Sequence, residues 1–231
     1  MTSGPRSAGA SGPPPPAGRR AGRPRVVPRA FYARPTIEVA PDLLGRILVH
    51  RSPAGETSGL IVEVEAYIGE DDPACHAAPG PTARNRPLYG PPGYAYVYLN
   101  YGIHALVNVV TEPAGSPAAI LIRALEPLDG LRLMRARRRR AGKGVRGLPP
   151  DAPDAALCRG PGNLTRAMGI ALSDNGSDLT GDRLFIADGG RTTARIVWSP
   201  RIGIRVGMDR QWRCYDADSL AVSGHPALSR E

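Results

Sequence analysis

Acidic residues are absent before Glu38, lysine occurs once, at Lys143, and aromatic residues fill only 5% of the 231 positions. No apolar run approaches the roughly 18 residues that a membrane-spanning helix needs. The N-terminus holds arginines and prolines but no apolar stretch of a secretory signal, so the expected product is soluble and cytoplasmic. Cysteine is scarce: Cys75, Cys158 and Cys214 are odd in number, widely spaced, and unaccompanied by a CxxC pair or clustered histidines. That pattern argues against a disulfide framework and against a zinc site, and predicts free thiols with no structural metal. The near-absence of lysine also removes the usual amine for Schiff-base chemistry.

What the sequence does hold is positive charge, +9 overall. Seven arginines precede Glu38, leaving 23 basic against 21 acidic residues for the remainder, or +2. Residues 1–34 are therefore expected to form a disordered basic tail of Pro, Gly, Ala, Ser and Arg, too poor in apolar surface to offset the entropy of ordering. Residues 35–231 are expected to form the folded domain. Within it, Arg84 and Arg86 and the run Arg132, Arg135 and Arg137 to Arg140 are local clusters. Such clusters suit phosphate contacts, or equally a solvated helix face.

Hydrophobic periodicity predicts a mixed sheet with a few helices, α+β rather than βαβ, because strands follow one another without a helix between each pair. A short helix runs into a strand at about 47–51, and Pro53 to Gly55 make a turn. In the strand Gly59–Tyr67, strict alternation puts Leu60, Val62 and Val64 on one face and Ile61, Glu63, Glu65 and Tyr67 on the other. Tyr94 to Leu99 and Ile103 to Val110 read as a hairpin with Tyr101 at its tip. A strand at Ala119 to Ala124 precedes a helix with Pro127 at its first position and Leu128, Leu131 and Met134 on its buried stripe. An irregular loop, Gly142 to Pro153, leads to a helix at about Asn163 to Ala171. Short strands follow at Leu184–Ala187, Ile196–Trp198 and Ile202–Val206.

Two carboxylates beside an aromatic on one strand, with His76 nine residues beyond Tyr67, offer a possible general base next to flat rings. On their own, such residues are more often a solvated sheet face and a structural histidine. The tyrosines add weight: Tyr94, Tyr96 and Tyr98 are expected to share a strand face with Tyr101 at the turn, which places four of the chain's twelve aromatic residues within eight positions. Cross-strand packing accounts for tyrosines within a strand. It does not account for one at an exposed hairpin tip.

The chain resembles the alkyladenine (3-methyladenine) DNA glycosylase family over about Pro35 to Pro226. The stretches that carry the resemblance include Val64-Glu-Ala-Tyr67, Thr82-Ala-Arg-Asn-Arg86, Tyr96-Val-Tyr-Leu-Asn-Tyr-Gly102, Ile122-Arg-Ala-Leu-Glu-Pro127 and Gly160-Pro-Gly-Asn-Leu164. The resemblance implies a single compact domain with a curved, mostly antiparallel sheet and a protruding hairpin, without metal or other cofactor. It implies a monofunctional enzyme acting on double-stranded DNA, with no membrane partner, expected as a monomer that is nucleoid-associated when bound to DNA. Such an enzyme flips out alkylated or deaminated purines (3-methyladenine, 7-methylguanine, hypoxanthine, ethenoadenine) and hydrolyses the N-glycosidic bond to leave an abasic site. Glu65 then matches the base that activates water, with Arg123 nearby. Tyr67, His76 and Tyr98 match the walls of the base pocket, and Asn108 a residue at its floor that disfavours guanine. Tyr101 matches the intercalating wedge, and Arg84 and Arg86 are placed to meet the DNA backbone. A non-catalytic nucleic-acid-binding module with the same pocket is the competing reading; an RNA-processing or acyl-transfer protein on the same fold is a more distant one.

Overall fold

The computed structural model describes residues 25–141 and 144–224. The expected tail over residues 1–24, and positions 142 and 143 of the expected loop, lie outside them. Residues 25–34, grouped with the tail by composition, pack onto the domain. Val26 bridges to Ala187, Val27 is buried, and Tyr32 of helix α1 (Arg29–Tyr32) is wholly enclosed. Those three side chains supply the apolar surface that an averaged composition hides.

Helix α2 (Thr36–Leu43) buries Thr36, Val39, Ala40 and Leu43, the stripe of a 3.6-residue period. Eight antiparallel strands follow: β1 (Ile47–Ser52), β2 (Gly55–Ile68), β3 (Ala95–Asn100), β4 (His104–Val110), β5 (Ala118–Pro127), β6 (Leu184–Ala187), β7 (Ile196–Ser199) and β8 (Arg213–Asp216). They form one curled sheet in the order β3-β4-β5-β2-β1-β6. On the edge of β2 opposite β5, β1 pairs with its first half and β8 with Glu63, Val64 and Glu65. The fold is α+β. Helices α2, α3 (Leu131–Arg139) and α4 (Pro161–Met168) share the main core with Ile61, Val64, Val97, Val107 and Ile122. The other face carries a smaller cluster containing Tyr96 and Ala119, with Tyr67 and Tyr98 against it.

The expected alternation along β2 fails at one point, and the failure builds the site. The β2–β5 register shifts on both sides of Glu63, so that Val62 on β2 and Arg123 on β5 fall between paired positions. Two opposed bulges reverse the pleat locally. Ile61 and Val64 therefore share the main core, while Leu60 and Val62 belong to a cluster with Ala124 and Val222. Sequence periodicity has no signal for a bulge that leaves hydrophobicity on both sides.

Three further expectations are corrected. Pro127 ends β5 opposite Gly59 instead of opening a helix; α3 begins after Gly130, whose φ of 78° makes the turn, and Leu128 is exposed. Ile202–Val206 forms no strand, whereas the polar Arg213–Asp216 does; apolar content favours the wrong segment because Ile202 and Val206 remain substantially exposed and take no part in the core. Tyr94 lies just before β3, beneath the Arg29 guanidinium at 4.6 Å, and apart from Tyr96 and Tyr98. All three cysteines are free and buried. Among the described residues, no helix is long and apolar enough to cross a membrane.

Candidate active site

Alternation along β3 sends Tyr96 and Tyr98 to the face opposite the helices, where they meet the loop after β2. The rings of His76 and Tyr98 are 4.4 Å apart and inclined by 63°, and those of Tyr96 and Tyr98 are 5.3 Å apart. His76 Nδ1 lies 2.9 Å from the Tyr96 hydroxyl. The loop holding His76 is fastened by Asn85, whose amide donates to the His76 and Gly80 carbonyls at 2.7 and 2.8 Å. Burial, and then the Arg84 guanidinium, hold the His76 imidazole below its ordinary value, so the ring is uncharged at neutral pH. Burial, reinforced by Tyr96, pushes the Tyr98 phenol up to about 12.

These rings border a cavity of about 410 Å³, also lined by Tyr67, Tyr101, Asn108 and Arg123. That volume lies within the range of small-ligand sites. Of the residues predicted from sequence, six line this cavity. Glu65 does not. It is fully buried one layer behind, and every group that bonds to it belongs to a residue facing the cavity: the Ile202 N–H reaches Oε1 at 2.7 Å, and the Tyr67 hydroxyl and Arg123 reach Oε2 at 2.9 and 3.1 Å.

Glu63 occupies the other side of Arg123. Its Oε1 accepts from Arg123 Nε at 2.9 Å and Arg213 Nε at 2.7 Å, and its Oε2 accepts the Ser223 N–H at 2.8 Å. The bulge at Arg123 thus lets one guanidinium bridge two carboxylates. Burial alone would raise the Glu63 pKa, but Arg123 and Arg213 outweigh it and hold the carboxyl below its ordinary value. The converse holds for Arg123: burial works against its charge, and Glu65 and Glu63 more than restore it. Two buried anions and two buried cations balance, which is the condition for tolerating such a network. Burial and the Glu65 carboxylate keep the Tyr67 phenol protonated.

The segment between β7 and β8 closes the back of the site. Arg201 in it forms a two-point ion pair with Asp72, at 2.6 and 2.8 Å, and donates to the Ala66 carbonyl at 3.1 Å. This anchorage sets the next residue, Ile202, with its N–H on Glu65. Sequence reasoning missed Glu63's partner Arg213, and missed Arg201, Asp72 and Ile202. Glu63 could be found from the strand; the others lie more than 125 positions from what they touch, and no local pattern announces them.

At the hairpin tip Tyr101 is 84% exposed, the highest exposure among the chain's large apolar side chains that are described. Its φ of 50° and Gly102's of 69° give two successive left-handed residues, closed by an Ile103 N–H to Asn100 carbonyl bond of 3.1 Å. Glycine or asparagine suits such a position; a bulky ring there is strained. Arg84 leans back on the hairpin, donating to the Leu99 carbonyl at 3.2 Å with its guanidinium 5.8 Å from the Tyr98 ring. Arg86 is exposed and apart from the cavity. Among the described residues, no cluster of three or more His, Cys, Asp or Glu is placed to hold a metal ion.

Residues 30–220 match the model of the methylpurine-DNA glycosylase family. The chain belongs to that family. Relatives bearing the name "Putative 3-methyladenine DNA glycosylase" include one from Methanocella arvoryzae, 48% identical over 201 residues, which span 86% of this chain and 96% of the relative. A second, from Chlorobium phaeobacteroides, is 49% identical over 85% of this chain and 94% of its own length. A third, from Rubrobacter xylanophilus, is 50% identical over 74% and 84%. A methylpurine-DNA glycosylase is a hydrolase of N-glycosyl bonds, and its chemistry calls for an aromatic recess of purine size with a water-activating group against it.

Proposed function

We propose that this enzyme flips an alkylated or deaminated purine out of duplex DNA into the aromatic cavity, and that Glu65 activates the water that displaces it from deoxyribose. The arrangement of Glu65 carries the proposal. A carboxylate offers about four lone-pair sites; Tyr67 and Arg123 take two on Oε2 and Ile202 takes one on Oε1. That leaves one lone-pair site on Oε1, assigned to a water held against the sugar; the three donors that fix Glu65 all belong to residues lining the cavity. As that water attacks, the sugar gains oxocarbenium character, and a nearby carboxylate stabilises it as in an inverting glycosidase.

A purine in the cavity stacks on Tyr67 and Tyr98 with His76 at its edge. An alkylated purine carries positive charge, and each ring face adds roughly 0.5 to 2 kcal/mol of cation–π attraction. The uncharged His76 does not oppose it. Cationic 3-methyladenine and 7-methylguanine depart as neutral bases; hypoxanthine and ethenoadenine need a proton to do so. Asn108, which donates to the Tyr96 carbonyl at 3.0 Å, is assigned to screening the purine edge against guanine. The readout is release of an abasic site from duplexes carrying each lesion, revealed by alkaline strand scission. No scission on any lesion would favour a binding module.

Tyr101 is assigned to the gap left by the flipped nucleotide. Tyr101→Asn relieves the left-handed strain, worth about 1 to 3 kcal/mol, and removes a stacking platform worth a similar amount. The melting temperature should therefore rise while affinity for lesion duplex falls. A variant that melts higher and binds duplex unchanged would refute the assignment. Arg84 and Arg86, with the glycine-containing turn before α4, are assigned to phosphates. Arg6, Arg19, Arg20 and Arg23 add to them if the first 24 residues touch DNA. Deleting residues 1–24 should then lower the slope of log affinity against log salt, by up to about 3 to 4; the cut must spare Val26 and Val27, which pack on β6. An unchanged slope would make the segment inert. Cavity, carboxylates and wedge all come from one chain, which supports a monomer; a cytoplasmic location at the nucleoid belongs to the same proposal.

A further inference from the structure

Behind Tyr67 lies a second charged layer. The Arg201 guanidinium centres 4.6 Å from the Tyr67 ring and 5.2 Å from the Trp212 ring. Its side chain and that of Asp72 are both 0% exposed, and neither residue borders the cavity. A guanidinium over one face of Tyr67 leaves the other face to the cavity. Arg210 stacks on Trp212 at 4.5 Å, and its Nη1 lies 3.7 Å from Asp72 Oδ1.

This placement poses an electrostatic question for a ring that is to receive a cation. The face of an aromatic ring attracts positive charge through its quadrupole, and Arg201 already draws on that attraction from behind. A cationic purine stacked on the free face would sit about 8 Å from the guanidinium, taking the 4.6 Å to the ring centroid and about 3.5 Å of stacking contact. At that separation two buried like charges repel appreciably. A neutral purine feels no such repulsion. The two-point pairing with Asp72 cancels the guanidinium's charge where it stands.

We propose that the Asp72–Arg201 pair determines specificity, with Asp72 neutralising the cation behind Tyr67 so that the ring accepts cationic as well as neutral purines. The inference rests on the proposed stacking of the flipped base on Tyr67. Removing the anion alone turns the wall against charged lesions, and removing the cation alone turns it in their favour. Arg201 also anchors the segment that carries Ile202 to Glu65. Loosening that anchor weakens excision of every lesion alike, so the two roles separate in a ratio.

The experiment measures kcat/KM on otherwise identical duplexes carrying 7-methylguanine, a cation, or hypoxanthine, a neutral base. Because both are read on the same preparation, incomplete folding cancels from their ratio. Asp72→Asn is expected to lower the 7-methylguanine to hypoxanthine ratio about tenfold or more. Arg201→Gln is expected to raise it, and the double variant to return it near the wild-type value. Arg210→Gln, on a side chain 27% exposed, is expected to raise it modestly and carries the test even if the buried variants fail to fold. A ratio unmoved in these variants, or moved the same way by Asp72→Asn and Arg201→Gln, overturns the inference while leaving the proposed function standing. A wild-type enzyme that releases neither base overturns both.

Discussion

Glu65→Gln is expected to lower abasic-site formation by about 10²- to 10⁴-fold, the range that positioned general bases contribute, while lesion-duplex affinity changes little. The replacement keeps the side chain's volume and an oxygen for the Ile202 N–H, so the back wall retains its shape. What disappears is the charge. A neutral amide cannot take the water's proton, and it cannot stabilise the oxocarbenium sugar. The amide's donor side must also face Arg123 or the Tyr67 hydroxyl, both of which are donors toward Glu65, so the carboxamide cannot satisfy both. Tyr67→Phe separates these effects, since it removes one hydrogen bond to Glu65 while preserving the ring. Its loss should be far smaller than that of Glu65→Gln. Scission that persists undiminished in Glu65→Gln would remove the mechanism.

The parts of this molecule that sequence made legible are those written in short range. The hairpin and its exposed tip follow from two apolar runs around Asn100-Tyr101-Gly102, and the structure closes the turn with left-handed residues at 101 and 102. Alternation along β3 puts Tyr96 beside Tyr98 as expected, but leaves out Tyr94, which lies just before the strand. Leu184–Ala187 is a strand at the expected bounds. The limits appear where geometry depends on distant partners. The twin bulges at Val62 and Arg123 reverse the pleat without leaving a trace in the hydrophobic pattern, and they are what bring Arg123 between Glu63 and Glu65. The start of α3 escapes the sequence pattern because Pro127 suits a first helical turn as well as the end of a strand. Within the irregular 200–212 segment the apolar residues of Ile202–Val206 suggest a strand, yet the segment's contribution is a backbone N–H and an arginine. The family resemblance named the residues around the cavity; it did not supply the Glu63–Arg213 or Asp72–Arg201 pairs that brace them.

Glu63 is expected to show the largest effect on stability. Glu63→Ala should cost about 3 to 5 kcal/mol, because removing one partner of a buried ion pair leaves the other's charge uncompensated. Arg213 is the cation stranded: its Nε loses Glu63, and among the described residues it keeps no anion, only the neutral Ser199 hydroxyl at 2.8 Å, the Ser223 carbonyl at 3.2 Å and the Tyr215 ring at 4.4 Å. Arg123 keeps Glu65 but loses the contact that fixes its plane. Since domains are stable by only about 5 to 15 kcal/mol, chemical denaturation should register the loss directly. Glu63→Leu combined with Arg213→Met should recover much of it, as the buried charges leave together. The same carboxylate predicts acid sensitivity with a definite sign. Its pKa in the folded state lies below the ordinary value of 4.5, so the unfolded chain binds the proton more readily. The stabilisation is complete above that value and is lost as pH falls through the lower, folded one. Wild type should therefore weaken on acidification below about pH 4.5 more steeply than Glu63→Leu/Arg213→Met. If the two lose stability in parallel, the carboxylate is not what the arginines are holding, and the brace behind Glu65 must come from the strand pairing alone.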